Sequence, residues 1–186
     1  DECGVCDGMG LGSTSGTFTG YYYSSDGLTN GSPSFGNLIL VREDPVINFN
    51  WNSISPDPSI PNDDFQIRWE GMILVETAGS YKFTSQTDDG LRLYINDNLV
   101  IDHWYDMGVT SHDGFITLDA GLHDLTMEYY ENGGGAVAQL YWTPPGENKT
   151  LVYPADVNIC DCSGSIDLGC GCDQSGPSGC DNVCGS

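Results

Sequence analysis

The sequence predicts an all-β protein, a β-sandwich or distorted barrel of antiparallel strands. Three observations predict it: apolar and polar residues alternate in short runs, turn-forming residues separate these runs, and no stretch keeps a helical period over several turns. Regular short strands joined by turns are typical of sandwiches and barrels. The 186 residues, 39% apolar and 11% aromatic, supply enough core for one folded body.

Alternation with a period of two residues marks the strands. Adjacent side chains of a strand point to opposite faces of its sheet, so a half-buried strand alternates apolar and polar residues. This pattern occupies residues 65–71, 81–84 and 125–129, and a further apolar run predicts a strand at 137–142.

Turn-forming residues separate the strands. Two apolar runs, 91–95 and 99–101, flank the polar triplet 96–98, which predicts a hairpin. Pro144 ends the strand that precedes it, because proline cannot donate to a β-ladder. For the same reason we expect the proline-rich segment 55–61 to be a loop that crosses between sheets.

Composition divides the chain into three regions. Residues 1–15 form a Cys-rich lead-in, residues 16–154 carry the strand patterns, and residues 155–186 form a tail rich in Cys, Gly and Asp. The chain starts and stops in segments of this same Cys-, Gly- and Asp-rich composition, so we expect it to be part of a larger multidomain extracellular protein. The acidic residues of the two ends are candidates for further Ca²⁺ sites, although disulfides alone would explain both segments.

All eight cysteines lie in the two terminal regions. An even number of clustered cysteines among small polar residues predicts disulfides formed in an oxidising compartment, and so a secreted, cell-surface, cell-wall or matrix protein. Zinc is the weaker alternative, because the Cys-x-Cys pairs fit structural zinc sites poorly and no histidine lies near them. The cysteines are Cys3, Cys6, Cys160, Cys162, Cys170, Cys172, Cys180 and Cys184.

The charge of the chain restricts its partners. The 27 acidic and 5 basic residues give a formal net charge of -22, which repels nucleic acid and anionic lipid. No apolar run reaches membrane-spanning length, so membrane insertion is not expected. Bound divalent cations would offset the charge and make calcium plausible, whereas solvated acidic loops would need no ion.

One acidic pair is a candidate metal site. Asp88 and Asp89 lie between two predicted strands, where neighbouring carboxylates converge only through an unusual backbone such as a cis peptide. Ca²⁺ accepts six to eight oxygen ligands, and Asn132 with the three glycines after it offers an amide oxygen and bendable backbone carbonyls. The alternative is a plain turn, since Asp and Gly are common in turns.

Five sequence blocks together resemble the protective-antigen-type (PA-fourteen) domain family. The resemblance extends over residues 16–153 and is strong for the fold because the blocks occur in the family's order. The blocks are INFNW at 47–51, FQIRWEG at 65–71, SQTDDGLRLYI at 85–95, VIDHW at 100–104 and YYENGGGA at 129–136.

The resemblance implies a β-sandwich and, from its sugar-binding members such as flocculins and adhesins, a Ca²⁺ site that holds sugar hydroxyls. The ion would lie on an Asp-Asp pair joined by a cis peptide. A glycine loop stands where flocculins place a large aromatic residue, so Trp104 and Tyr105 are candidates for an aromatic wall, with Trp104 alternatively part of the core. The implied metal ligands are Asp88, Asp89, Asn132 and carbonyls near Gly134 and Ala136; the implied sugar-binding residues are Asp88, Asp89, Asn132, Gly133, Trp104 and Tyr105.

The sequence therefore predicts a calcium-dependent carbohydrate-binding module, lectin-like and suited to adhesion. The alternative is a structural or protein-binding module of a large extracellular assembly, in which Ca²⁺ only stabilises loops. We expect no enzyme. The histidines have no common spacing and no Ser-His-Asp motif places them, so each is expected to be a surface residue or a satisfied hydrogen-bond partner; they are His103, His112 and His123.

Overall fold

The structure, a computed structural model, describes residues 16–25 and 35–156, and the backbone of residues 13–14, 157–159 and 166–167. Residues Thr17–Pro154 form one compact unit, and the residues on either side of it are grouped in a second. All eight cysteines, with the predicted disulfides, lie outside the described residues, as do the terminal acidic residues proposed as further Ca²⁺ ligands, Asp1, Asp7, Asp161, Asp173 and Asp181.

Strands account for all the regular secondary structure of the described residues, which confirms the all-β prediction. No helix in this part of the chain could cross a membrane. The strands are β1 (Ser13–Thr14), β2 (Phe18–Ser24), β3 (Leu38–Asp44), β4 (Asn48–Asn52), β5 (Phe65–Val75), β6 (Gly79–Asp88), β7 (Leu91–Ile95), β8 (Asn98–His103), β9 (Thr110–Leu118), β10 (Gly121–Glu131), β11 (Ala136–Thr143), β12 (Thr150–Leu151), β13 (Val157–Ile159) and β14 (Ile166–Asp167).

Two antiparallel sheets form the Thr17–Pro154 unit. One has the strand order β3-β2-β5-β10-β7-β8, and the other has the order β12-β11-β6-β9 with β4 also paired to β11. The remaining strands, β1, β13 and β14, form a separate three-stranded sheet. The core of the unit includes Phe65, Ile67, Trp69, Tyr81, Phe83, Leu91, Leu93, Ile95, Leu125, Met127, Tyr129, Ala138 and Leu140.

The turns predicted from the sequence are present. Asn96 and Asp97 take positive φ angles of 48° and 61° between β7 and β8, as a tight hairpin turn requires. The proline-rich segment lies in the connection from β4, in one sheet, to β5, in the other, so it crosses between sheets as expected. β11 ends at Thr143, directly before the two prolines.

A buried carboxylate with a full set of donors holds the six-stranded sheet together near its β3 edge. Asp44, 3% exposed, accepts hydrogen bonds from the Tyr22 hydroxyl (2.6 Å), the Trp69 indole N–H (2.8 Å) and Arg42 Nε (2.7 Å). Burial, with the charge of Asp44, raises the pKa of Tyr22, so this hydroxyl stays protonated and donates. The network is therefore satisfied without any ion.

Replacing Asp44 with alanine should lower the free energy of unfolding by about 2–5 kcal/mol, because the buried Tyr22 hydroxyl and Trp69 indole N–H would lose their acceptor. Asp102→Ala is the matched control. The Asp102 side chain is 47% exposed and forms an ion pair with Arg92, so its removal should lower the free energy of unfolding by only about 0.2–1 kcal/mol. Urea unfolding of both variants measures the difference. Equal losses would contradict the assigned role of the Asp44 network.

Candidate functional site

Strand ends from both sheets bring three carboxylates together at one end of the sandwich. Asp88 ends β6 in one sheet, Asp89 follows it, and Glu131 ends β10 in the other sheet. The peptide bond between Asp88 and Asp89 is cis, as the sequence analysis anticipated. Oxygen atoms from the three side chains all lie within 4.8 Å of one another, a spacing that could hold a metal ion.

Backbone N–H groups fix the carboxylate of Asp89. Its Oδ1 accepts from the N–H of Met107 at 2.8 Å, and its Oδ2 accepts from the N–H of Asn132 at 2.9 Å. Burial raises the pKa of Asp89, and these N–H groups partly oppose that rise. Burial and the charge of Asp89 likewise raise the pKa of Asp88. Each Asp89 oxygen keeps a lone pair, so the group is oriented but still able to bind a cation.

Glu131 is the residue that the sequence analysis missed. Its side chain is fully buried, Oε2 accepts from the Tyr129 hydroxyl at 3.2 Å, and Oε1 has no hydrogen-bond partner. Burial, followed by the charges of Asp89 and Asp88, raises the pKa of Glu131 to about 8. A buried carboxylate oxygen without a donor is rare unless a proton or a cation satisfies it.

One sequence signal could have found Glu131. In β10, Leu125, Met127 and Tyr129 are buried in the core, and position 131 continues the same period-two face. A carboxylate in a core-facing position is unusual, since Glu is almost never fully buried without a partner. The alternation that located the strand therefore also marked this residue as exceptional.

The loop that follows β10 lies against the carboxylates. Asn132 donates from Nδ2 to Asp106 at 2.9 Å, which leaves its amide oxygen as the atom able to meet a cation. A Cβ on Gly135 would lie 3.5 Å from Asp88 Oδ2, so the loop backbone passes close to that carboxylate. Gly134 takes φ 108°, and its N–H donates to Asp63 at 3.1 Å. Carbonyl ligands at Gly134 and Ala136 remain a prediction.

The two aromatic residues proposed as a ligand wall differ in exposure. Trp104 is 8% exposed, its ring packs edge to face on Tyr130 at 4.8 Å, and the Arg92 guanidinium lies 4.7 Å from its centre. Trp104 is therefore buried against these two side chains, and its role in a ligand wall stays a prediction. Tyr105 is 53% exposed, and Val109 is similarly exposed on the same connection between β8 and β9. The role of Tyr105 in a ligand wall also stays a prediction.

Side-chain packing, as well as the turn, requires glycine at position 90. A Cβ at this position would lie 2.3 Å from Cε1 of Tyr130, so only glycine lets that ring pack here. The Tyr130 hydroxyl donates to Asp106 Oδ1 at 2.9 Å, and Asp106 in turn holds Asn132. The Asp-Asp-Gly sequence thus supplies two carboxylates, and its glycine leaves room for the Tyr130 ring, whose hydroxyl bonds to Asp106.

The histidines are satisfied partners, as the sequence analysis expected. His103 and His112 stack with ring centroids 3.5 Å apart, and their ring nitrogens contact the Tyr105 hydroxyl and the Met107 sulfur. His123 contacts Asn96 at 2.7 Å and the Asp119 carbonyl oxygen at 2.8 Å.

Comparisons with known proteins agree with this fold. A model of the PA14 domain matches residues 13–155. Anti-sigma-I factor RsgI3 of Acetivibrio thermocellus is 35% identical over 151 residues, which cover 78% of this chain and 22% of that protein. A solved anti-sigma factor domain-containing protein from Clostridium clariflavum is 32% identical with a TM-score of 0.65, and the match covers 74% of this chain and 45% of that one.

A solved PA14 sugar-binding domain from an RTX adhesin shares the fold at 20% identity and a TM-score of 0.56, covering 76% of this chain and 99% of that one. This chain spans under a quarter of the curated relative, at 22% of its length. The family model, by contrast, matches residues 13–155, which include the whole of the Thr17–Pro154 unit. The resemblance found in the sequence is confirmed at the level of the family: the chain belongs to the PA14 domain family.

Proposed function

We propose that this chain is a calcium-dependent carbohydrate-binding module of a secreted or cell-surface protein. The observation that carries the proposal is the meeting of three carboxylates within 4.8 Å, one of them a fully buried Glu131 with an unpartnered oxygen. Like charges so close together are unfavourable unless protons or a cation neutralise them. A cation is the alternative that also gives the unpartnered oxygen a ligand bond.

The donor set suits Ca²⁺. It consists of oxygen atoms only, and Ca²⁺ prefers six to eight oxygens in flexible geometry, whereas Mg²⁺ demands a tighter octahedron. The carboxylates of Asp88, Asp89 and Glu131 would hold the ion, with the amide oxygen of Asn132 and loop carbonyls near Gly134 and Ala136 beside them. When bound, the ion supplies open coordination positions that accept hydroxyl oxygens.

The shape of the rim supports a carbohydrate ligand. Gly133 and Gly134 are exposed and have no side chain to cover the ion, so vicinal hydroxyls of a sugar could replace water on it. The RTX adhesin domain with the same fold is described as sugar-binding. No nucleophile or acid–base pair is needed for such binding, so the proposed role is recognition and not catalysis. A shallow site of this kind binds weakly and gains avidity from many copies.

A second candidate is a structural or protein-binding module in which Ca²⁺ only stabilises the loops. Two observations favour it: the glycine loop offers no aromatic face to a sugar, and the curated relative is an anti-sigma factor of which this chain spans 22%. The two candidates differ in whether the bound ion takes a glycan.

Asp89→Asn should weaken Ca²⁺ binding by more than about tenfold, because it removes the charge of an oriented ligand while keeping its shape. Asp119→Asn is the matched control, since Asp119 is exposed and lies in the turn between β9 and β10. Calorimetric titration with Ca²⁺ measures both. Equal affinity in the two variants would remove Asp89 from the metal site.

Glycan binding at the carboxylate site should require the ion. A glycan array probed with Ca²⁺ should give at least one class of hits that disappears in chelator and with Asp89→Asn, but persists with Asp119→Asn. An array on which every hit survives chelation would contradict the mechanism. An array without hits, from protein shown by calorimetry to bind Ca²⁺, would favour the structural candidate.

In chelator, the stability of the protein should fall as the pH rises from about 4.5 to about 8. Glu131 has a pKa raised from 4.5 to about 8, so in this window the folded state holds a proton that the unfolded state has lost. Glu131→Gln should flatten this part of the curve, and added Ca²⁺ should restore stability at pH 8 in the wild type only. Denaturation at several pH values measures this dependence. If the stability of the wild type varied with pH as that of Glu131→Gln does, a raised pKa of Glu131 would be ruled out.

A further inference from the structure

A concave site lies at the end of the sandwich opposite the carboxylates. β6 runs from Gly79 to Asp88, so its two ends are roughly 30 Å apart at about 3.3 Å per residue. Near the Gly79 end, a cavity of about 490 Å³ is formed by the turn between β5 and β6 and by the loop between β11 and β12. Its volume lies within the range of small-ligand sites.

The two segments that form the cavity are held together by packing. A Cβ on Gly79 would lie 2.6 Å from Cγ of Pro145, so the β5–β6 turn is pressed against the proline loop. The Tyr81 hydroxyl donates to the Thr77 carbonyl at 2.8 Å and secures the same turn. On the other side, the Glu147 N–H donates to the Pro144 carbonyl at 3.1 Å. The cavity is therefore preformed.

An aromatic ring forms one side of the cavity. Trp142 is partly exposed, while its indole packs on Tyr81 at 5.4 Å and on Phe83 at 6.2 Å between ring centroids. These contacts with core residues fix the orientation of the ring. Pro144 and Pro145 extend the apolar surface beside it.

The polar groups of the cavity combine acceptors with groups that also donate. Glu76 and Glu147 are exposed, and among the described residues neither carboxylate forms an ion pair. Asn148 and Thr150 offer an amide and a hydroxyl, and no lysine or arginine lines the cavity. A ligand that matches all of these has one apolar face and several hydroxyl groups.

We infer that this cavity is a second, metal-independent binding site for a neutral saccharide. The C–H face of a sugar ring packs on Trp142, and its hydroxyls donate to Glu76 and Glu147 while accepting from Asn148. An organic ammonium ion would use the rings and the carboxylates but leave the amide and hydroxyl donors unmatched. With the carboxylate site at the other end, one module would contact two places on a polysaccharide.

The test is an NMR titration of the ¹⁵N-labelled chain in chelator, which empties the carboxylate site. The probes are cellotetraose, xylotetraose, mannotetraose and choline. With at least one saccharide, the Trp142 indole N–H and the Asn148 side-chain amide should shift and saturate. Glu147→Gln should raise the dissociation constant about tenfold, because it weakens a charge-assisted hydrogen bond. Glu70→Gln, an exposed change on β5 outside the cavity, should leave it unchanged.

The inference is overturned if none of the three saccharides shifts these resonances, if only choline does, or if Glu70→Gln weakens binding as much as Glu147→Gln. Asp89→Asn should bind the same saccharide normally in this experiment. Failure here therefore leaves the calcium proposal intact, and failure of calcium binding leaves this site intact.

Discussion

Repulsion among the carboxylates of Asp88, Asp89 and Glu131, held within 4.8 Å of one another, is the interaction around which this end of the sandwich is arranged. N–H groups of Met107 and Asn132 offset part of the charge at Asp89. They leave Glu131 buried with one oxygen unpartnered and its pKa near 8. The arrangement is incomplete until a proton or a cation enters it, and a set of oxygen ligands on rigid strand ends favours a hard cation.

The same sheet contains a buried carboxylate in the opposite condition. Asp44 receives three donors, from Tyr22, Trp69 and Arg42, and needs nothing further. Glu131 has one side-chain donor, the Tyr129 hydroxyl, whose single hydrogen it shares with the nearer carbonyl oxygen of Asp88. Because both acids are fixed by the same fold, the contrast separates a carboxylate that stabilises the sheets from one that is available to a ligand.

The sequence alone was enough to predict the strands and the unusual backbone of the Asp-Asp pair, because both depend on the local residue pattern. Alternation located the strands that became β5, β6 and β10, and the Asn96–Asp97 turn followed from residue type. Alternation in β10 marks Glu131 as an unusual core-facing acid, but its meeting with Asp88 and Asp89 depends on β10 ending beside β6 of the other sheet, which no local pattern reports. The burial of Trp104 likewise depends on Arg92 and Tyr130, two residues that reach it only in the fold.

The two ends of the sandwich thus offer different chemistry, one built from carboxylates and the other from an aromatic ring with hydrogen-bonding groups. A crystal structure grown with Ca²⁺ tests the central claim most directly. The account predicts one ion about 2.3–2.6 Å from oxygens of Asp88, Asp89 and Glu131, with at least one coordination position open to solvent. A well-ordered site without ion density, in which Glu131 is held only by protein hydrogen bonds, would contradict it.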